Sequence, residues 1–291
     1  MHHNLRGTGI AIVTPFLESG KIDFIGLEKL LNHIIGGGVD YIVVLGTTGE
    51  SVVLSADEKI AVANFVKEKV DGRKPLVIGL GGNNTYAVAD IIKNTDLSGY
   101  DAILSVSPYY NKPSQEGIYQ HYKALSETSP LPIILYNVPG RTSSNITSET
   151  TLRLAHDFDN IIAIKEASGD MDQIMKIIKD RPKSFLVISG DDGLTLPMIN
   201  MGADGVISVI GQAYPKEFSN LVRYALEGNQ TSAIKIHYQL YDLLDPLYSN
   251  GNPAGIKAAL KIMGICSDTL RLPLVNVEKE TYQKLESLIK S

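Results

Sequence analysis

Eight short apolar runs punctuate the chain, at positions 9–13, 41–45, 76–80, 102–106, 132–136, 161–164, 185–189 and 205–209. Each is rich in Ile, Val and Leu and almost unbroken by polar residues. A strand with one face in water alternates apolar and polar positions. An unbroken run belongs to a strand buried on both faces, as in a parallel sheet. The segments between the runs carry helical spacing instead. Residues 23–37 place Ile25, Leu27, Leu30, Leu31, Ile34 and Ile35 on one broad apolar stripe. Ser55, followed three residues later by Glu58, has the pattern of a capping box at a helix start. Segments 114–127, 148–156, 170–179 and 193–200 read as further helices.

Strands alternating with helices build a parallel sheet through right-handed crossovers. Eight such units are the number that closes a TIM barrel. An open doubly wound sheet is the alternative. It usually has fewer strands and often a glycine-rich dinucleotide turn after the first, which residues 9–15 lack. Beyond residue 210 the alternation stops. Segments 215–227, 231–248, 253–263 and 278–290 all look helical, with Pro215 in the first turn of its helix, where a missing N–H costs little. The expected fold is therefore α/β: a (β/α)8 barrel catalytic domain over 1–227 and a small C-terminal helical domain over 228–291.

Composition narrows the function. The chain has 291 residues, 44% hydrophobic and 20% charged, as in an ordinary globular protein. Its 27 basic and 32 acidic residues give a net charge of −5 with no basic run, which argues against nucleic acid as a partner. One cysteine, Cys266, excludes an intrachain disulfide, and the six histidines are scattered. The first sixteen residues lack the features of a signal peptide, and no stretch reads as a membrane span. A cytoplasmic enzyme without a structural zinc site is the expectation.

In such barrels the chemistry gathers where the strands end. Strand two is followed by Gly46-Thr47-Thr48-Gly49-Glu50 and strand four by Pro108-Tyr109-Tyr110-Asn111. Strand five ends in Tyr136-Asn137, ahead of Val138-Pro139-Gly140-Arg141. Lys165-Glu166 closes strand six, and Gly190-Asp191-Asp192 follows strand seven. A lysine at the end of a buried strand loses solvation of its ammonium, and the neutral amine can attack a carbonyl to form an imine. The plainer reading is a lysine that reaches solvent or pairs with Glu166. Tyr136 can relay protons or be a core tyrosine with a satisfied hydroxyl. Thr47 and Thr48 can bind a carboxylate or serve turn chemistry. Arg141 offers a fork to a carboxylate or stays solvated in its loop. Taken singly, the plain readings hold their own. Placed together at one barrel mouth, these residues favour a site.

The strings Gly46-Thr47-Thr48-Gly49-Glu50-Ser51, Tyr109-Tyr110-Asn111-Lys112-Pro113, Tyr136-Asn137-Val138-Pro139-Gly140-Arg141-Thr142 and Ile164-Lys165-Glu166-Ala167-Ser168-Gly169-Asp170 resemble the motifs of the 4-hydroxy-tetrahydrodipicolinate synthase family. This is a branch of the pyruvate-dependent class I aldolases that also include N-acetylneuraminate lyase. The resemblance extends to Ser189-Gly190-Asp191-Asp192, Gly205–Val209 and Asn252-Pro253, essentially the whole chain. It implies a lyase in which Lys165 forms a Schiff base with pyruvate. Tyr136, Thr47 and Tyr110 would then move protons, with Tyr110 supplied by a neighbouring subunit. Thr48 would hold the pyruvate carboxylate and Arg141 that of L-aspartate 4-semialdehyde, and the carbonyls of Gly190 and Ile207 would line the pocket. It also implies a homotetramer, a dimer of dimers, and no metal or organic cofactor. A sugar-acid lyase of the same superfamily is the closest competitor, opposed by Arg141 and Thr47. A barrel that only binds ligands is a more distant one.

Members inhibited by lysine tend to carry histidines at the positions of Ala56 and Lys59 and a glutamate at that of Ala87. Ser51, Asn83 and Tyr109 keep the inhibited pattern. The resemblance therefore implies weak or absent inhibition by lysine here.

Overall fold

The eight apolar runs form eight parallel strands, and hydrogen bonds between β1 and β8 close them into a barrel. The structure is a computed structural model that describes residues 3–290. The strands are β1 (Gly7–Ala11), β2 (Tyr41–Val44), β3 (Leu76–Gly79), β4 (Ala102–Val106), β5 (Ile133–Asn137), β6 (Ile161–Glu166), β7 (Leu186–Ser189) and β8 (Gly205–Ser208). Two offsets from the expected runs stand out. β1 starts two residues earlier, and β6 continues through Lys165 and Glu166.

Twelve α-helices accompany the strands among the described residues. Around the barrel lie α1 (Phe24–Gly36), α2 (Ala56–Val70), α3 (Thr85–Asn94), α4 (Gln115–Thr128), the single turn α5 (Pro139–Thr142), α6 (Ser148–Asp157), α7 (Met171–Asp180), α8 (Thr195–Asn200) and α9 (Pro215–Leu226). Local chemistry sets their starts. Asp23, Asn84, Ser114, Thr147 and Asp170 each accept a backbone N–H three residues on. At Ser55 the full capping box forms, with the Glu58 carboxylate accepting the Ser55 backbone N–H at 2.9 Å. Pro215 occupies the first turn of α9 as expected. α3 was not anticipated, because it buries only Val88 and Ile92 and so shows a thin apolar stripe.

Two apolar layers explain why the runs are unbroken. One fills the barrel with Ala11, Val43, Val77, Leu104, Ile134, Tyr136, Ala163, Ile188 and Ile207. The other lies between strands and helices, including Ile10, Ile42, Ile103, Leu135, Ile164 and Val187. Neighbours in the chain alternate between the layers. The seam that closes the barrel is tight: a Cβ on Gly205, at φ 153°, would stand 2.1 Å from the Gly7 carbonyl oxygen. Only glycine permits that approach.

Past α9 come α10 (Gln230–Tyr248), α11 (Ala254–Ile262) and α12 (Lys279–Lys290). α10 packs against α9 and α12, and α11 packs against α10 and α12. Among the described residues no helix is long and apolar enough to cross a membrane.

Candidate active site

Two adjacent strands supply the centre of the barrel mouth. Tyr136 of β5 and Lys165 of β6 are register partners. Both side chains turn into the barrel, with Lys165 Nζ 4.5 Å from the centroid of the Tyr136 ring. Lys165 is only 5% exposed and Tyr136 7%. Among the described residues neither the lysine nitrogen nor the phenol has a hydrogen-bonding partner, and Lys165 has no ion pair.

Lys165 faces inward because of an irregularity upstream. Between Ile133 and Ile134 the pairing advances one residue on β5 but two on β6, from Ile161 to Ala163. Ile162 and Ala163 consequently both face the barrel interior. Strict alternation from Ile162 would have sent Lys165 outward; the bulge reverses that.

Glu166 then points away from the mouth, toward α7. Its carboxylate accepts Asn137 Nδ2 at 3.0 and 3.1 Å, Gln173 Nε2 at 3.0 Å and the Ser168 backbone N–H at 2.8 Å. Burial pushes the Glu166 carboxyl above the usual range, and those donors pull against it. Lys165 and Glu166 lie on opposite faces of one strand, so the pairing weighed from the sequence does not form.

Glycine leaves room for the lysine. A Cβ at Gly190 would stand 3.1 Å from Lys165 Cε and 2.7 Å from Ala167 Cβ. Ile207, 1% exposed, lines the barrel interior with Tyr136. Nearby, Asp192 is held by the N–H groups of Val209 and Ile210, at 3.1 and 2.8 Å, and by the Tyr248 hydroxyl at 2.6 Å. Burial raises the Asp192 carboxyl against the pull of these donors. Burial first, then the Asp192 charge, push the Tyr248 phenol well above its ordinary value, with a smaller push from Tyr136. α10 is thereby docked onto the loop after β7.

The turn after β2 (Thr47–Gly49) supplies the two threonines. Leu45 precedes it at φ 58° and Glu50 closes it at φ 52°. Thr48 is buried, and its hydroxyl accepts Asn252 Nδ2 at 2.9 Å. The Asn252 carbonyl in turn accepts Arg141 from α5 at 3.3 Å. Asn252 thus ties two candidate carboxylate-binding residues together, and its Oδ1 is buried without a partner among the described residues. In sequence it stood out only as part of the family pattern, since no local spacing links it to Thr48.

Tyr110 is not gathered into this group within one chain. Its ring is 83% exposed and its backbone is left-handed at φ 73°. Tyr109 is half-buried, and its carbonyl accepts Asn83 at 3.3 Å. A separate hollow lined by Ala155, His156, Asp159, Ile161 and Phe185 opens at the other end of β6 and β7, far along the strand from Lys165. Among the described residues no three His, Cys, Asp or Glu side chains form a metal-binding group.

This geometry meets the comparisons with known proteins. Residues 4–291 match the model of the dihydrodipicolinate synthetase family. The chain belongs to that family. A 4-hydroxy-tetrahydrodipicolinate synthase of Flavobacterium psychrophilum is 54% identical over 284 residues, 98% of this chain and 97% of that one. A crystal structure of the chloride-inhibited dihydrodipicolinate synthase from Acinetobacter baumannii complexed with pyruvate superposes with a TM-score of 0.95, at 38% identity over 98% of each chain. A monomeric dihydrodipicolinate synthase variant superposes with a TM-score of 0.96, at 40% identity, over 99% of this chain and 96% of its own. These synthases are what the chain is similar to.

Proposed function

We propose that the chain condenses pyruvate with L-aspartate 4-semialdehyde to give 4-hydroxy-tetrahydrodipicolinate, the committed step toward diaminopimelate and lysine. The observation that carries this reading is a buried lysine that, among the described residues, has no ion pair, stacked against a tyrosine whose hydroxyl has no hydrogen-bonding partner among them. Family membership and the activity of the relatives support it. The catalytic part is the barrel of 1–227, with 228–291 as the C-terminal domain.

The neutral Lys165 amine attacks the pyruvate keto carbon, and the keto oxygen leaves as water, giving an imine. A methyl proton is lost to form an enamine. The enamine carbon bonds to the aldehyde carbon, whose oxygen takes up a proton. The substrate amine then attacks the imine carbon, closes the ring and releases Lys165. Tyr136 sits beside the nitrogen through these steps and passes protons, with Thr47 and Tyr110 completing the relay. Thr48 holds the pyruvate carboxylate, and the carbonyls of Gly190 and Ile207 line the pocket. No cofactor enters this scheme.

Tyr110 joins from a neighbouring subunit. Its exposure, shared by Val52 at 83% and Tyr86 at 84%, supports that role. The tetramer and the cytoplasmic location come with the family reading. Full activity in a monomer would contradict the shared site.

Arg141 binds the carboxylate of the aldehyde substrate. Arg141→Ala is expected to raise the KM for the aldehyde roughly ten- to hundredfold, the effect of about 1.5–3 kcal/mol for a hydrogen bond to a charged group. Pyruvate capture on Lys165 stays intact. An unchanged aldehyde KM in steady-state assays removes Arg141 from that role. A panel of pyruvate with different aldehydes tests the activity itself: turnover of aspartate 4-semialdehyde supports the reading, and turnover confined to sugar aldehydes overturns it.

Ala56 and Lys59 sit in the first turn of α2 in place of the histidines of the inhibited pattern, and Ala87 sits in that of α3 in place of the glutamate that would face a lysine amine. Lysine is expected to inhibit the purified enzyme weakly or not at all; micromolar inhibition contradicts this.

A further inference from the structure

Behind the threonine turn lies an ion pair that the proposed chemistry does not use. Glu50 directly follows Thr47-Thr48-Gly49, and Lys257 belongs to α11, yet both side chains are 0% exposed and Nζ meets Oε1 at 2.5 Å. The other Glu50 oxygen accepts the Arg271 backbone N–H at 3.2 Å. Lys257 Nζ also donates to the Thr269 carbonyl at 2.9 Å and stands 4.2 Å over the Phe16 ring. Arg271 is 4.5 Å from the same ring centroid and grips both oxygens of Glu58. Its guanidinium also holds the carbonyls of Gly20 and Val53.

An ion pair taken wholly out of water is weak as a source of stability, because desolvation offsets most of its attraction. Its value lies in direction: two charges with satisfied partners fix one arrangement. Here the arrangement fixed is the threonine turn. Glu50 is held in the left-handed region at φ 52°, which a non-glycine residue keeps only where its surroundings impose it. Thr14 Oγ1 holds the Gly49 carbonyl from the barrel side at 2.7 Å. The C-terminal chain touches the turn twice, through Asn252 just ahead of α11 to Thr48 and through Lys257 within α11 to Glu50.

We propose that the Glu50–Lys257 pair is a positioning device: it locks the C-terminal segment onto the threonine turn, so that Thr47, Thr48 and, through Asn252, Arg141 are held in place relative to Lys165. Neither Glu50 nor Lys257 touches substrate. The inference rests on the imine reading of Lys165 given above.

The test uses the full-length protein with Glu50→Gln, which keeps the shape and removes one charge, and the double variant Glu50→Gln/Lys257→Met, which leaves no unpaired buried charge. Circular dichroism and thermal unfolding establish folding. Borohydride trapping with pyruvate counts competent sites, and kcat is expressed per trapped site. Trapping on Lys165 still reaches completion at saturating pyruvate, but the pyruvate KM rises and kcat per trapped site falls, together by on the order of ten- to a hundredfold. A purely structural role lowers only the number of trapped sites. Unchanged KM and per-site kcat in whichever variant folds overturns the proposal. Absence of an adduct in the unsubstituted protein overturns the imine reading, and this inference with it.

Discussion

Lys165→Ala is expected to lower kcat/KM by on the order of 10⁴-fold or more while leaving the fold in place, since the covalent path through the imine is lost altogether. The fold survives because the lysine nitrogen holds nothing else together: among the described residues it has no ion pair or hydrogen bond, and the side chain lies against the Tyr136 ring and Gly190. Truncation removes a stem from the mouth of the barrel, not from its packed layers. Steady-state assays with circular dichroism check both halves. A folded variant that keeps a tenth of its activity removes Lys165 from the chemistry.

Tyr136→Phe is expected to lower kcat by about 10²- to 10⁴-fold, the range for losing a positioned proton carrier. The ring keeps its place over Lys165 and only the hydroxyl goes. That hydroxyl has no partner within the chain among the described residues, so its loss strands no buried group, and thermal stability should barely move. Formation of the pyruvate adduct should slow in parallel. A variant within a small factor of the parent kcat contradicts the relay. A large loss of stability would instead mean that the hydroxyl serves packing.

Much of the barrel was legible because both faces of each strand are buried. The run 41–45 or 102–106 announces such a strand without any alternation to decode. Two helix starts were legible from local chemistry: Ser55 with Glu58, and Pro215, act within one turn of themselves. The position of Lys165 at a strand end could also be read, but its direction could not. The bulge at Ile161–Ala163 turns it inward, and the apolar string Ile161-Ile162-Ala163-Ile164 carries no mark of it. α3 escaped notice because two buried residues make too faint a stripe. Contacts between distant segments were beyond reach for a different reason. Asn252 meets Thr48 across 204 positions and Lys257 meets Glu50 across 207, and no periodicity connects residues so far apart. Tyr110 is exposed in the single chain, so only the family resemblance assigns it a place.

The central claim is that Lys165 captures pyruvate covalently. The direct measurement is borohydride reduction of the protein with pyruvate, followed by intact-mass and peptide-mass analysis. The predicted result is one reduced pyruvyl adduct per chain, on Lys165, absent without pyruvate and absent in Lys165→Ala. An adduct on another lysine, or none, would contradict the account.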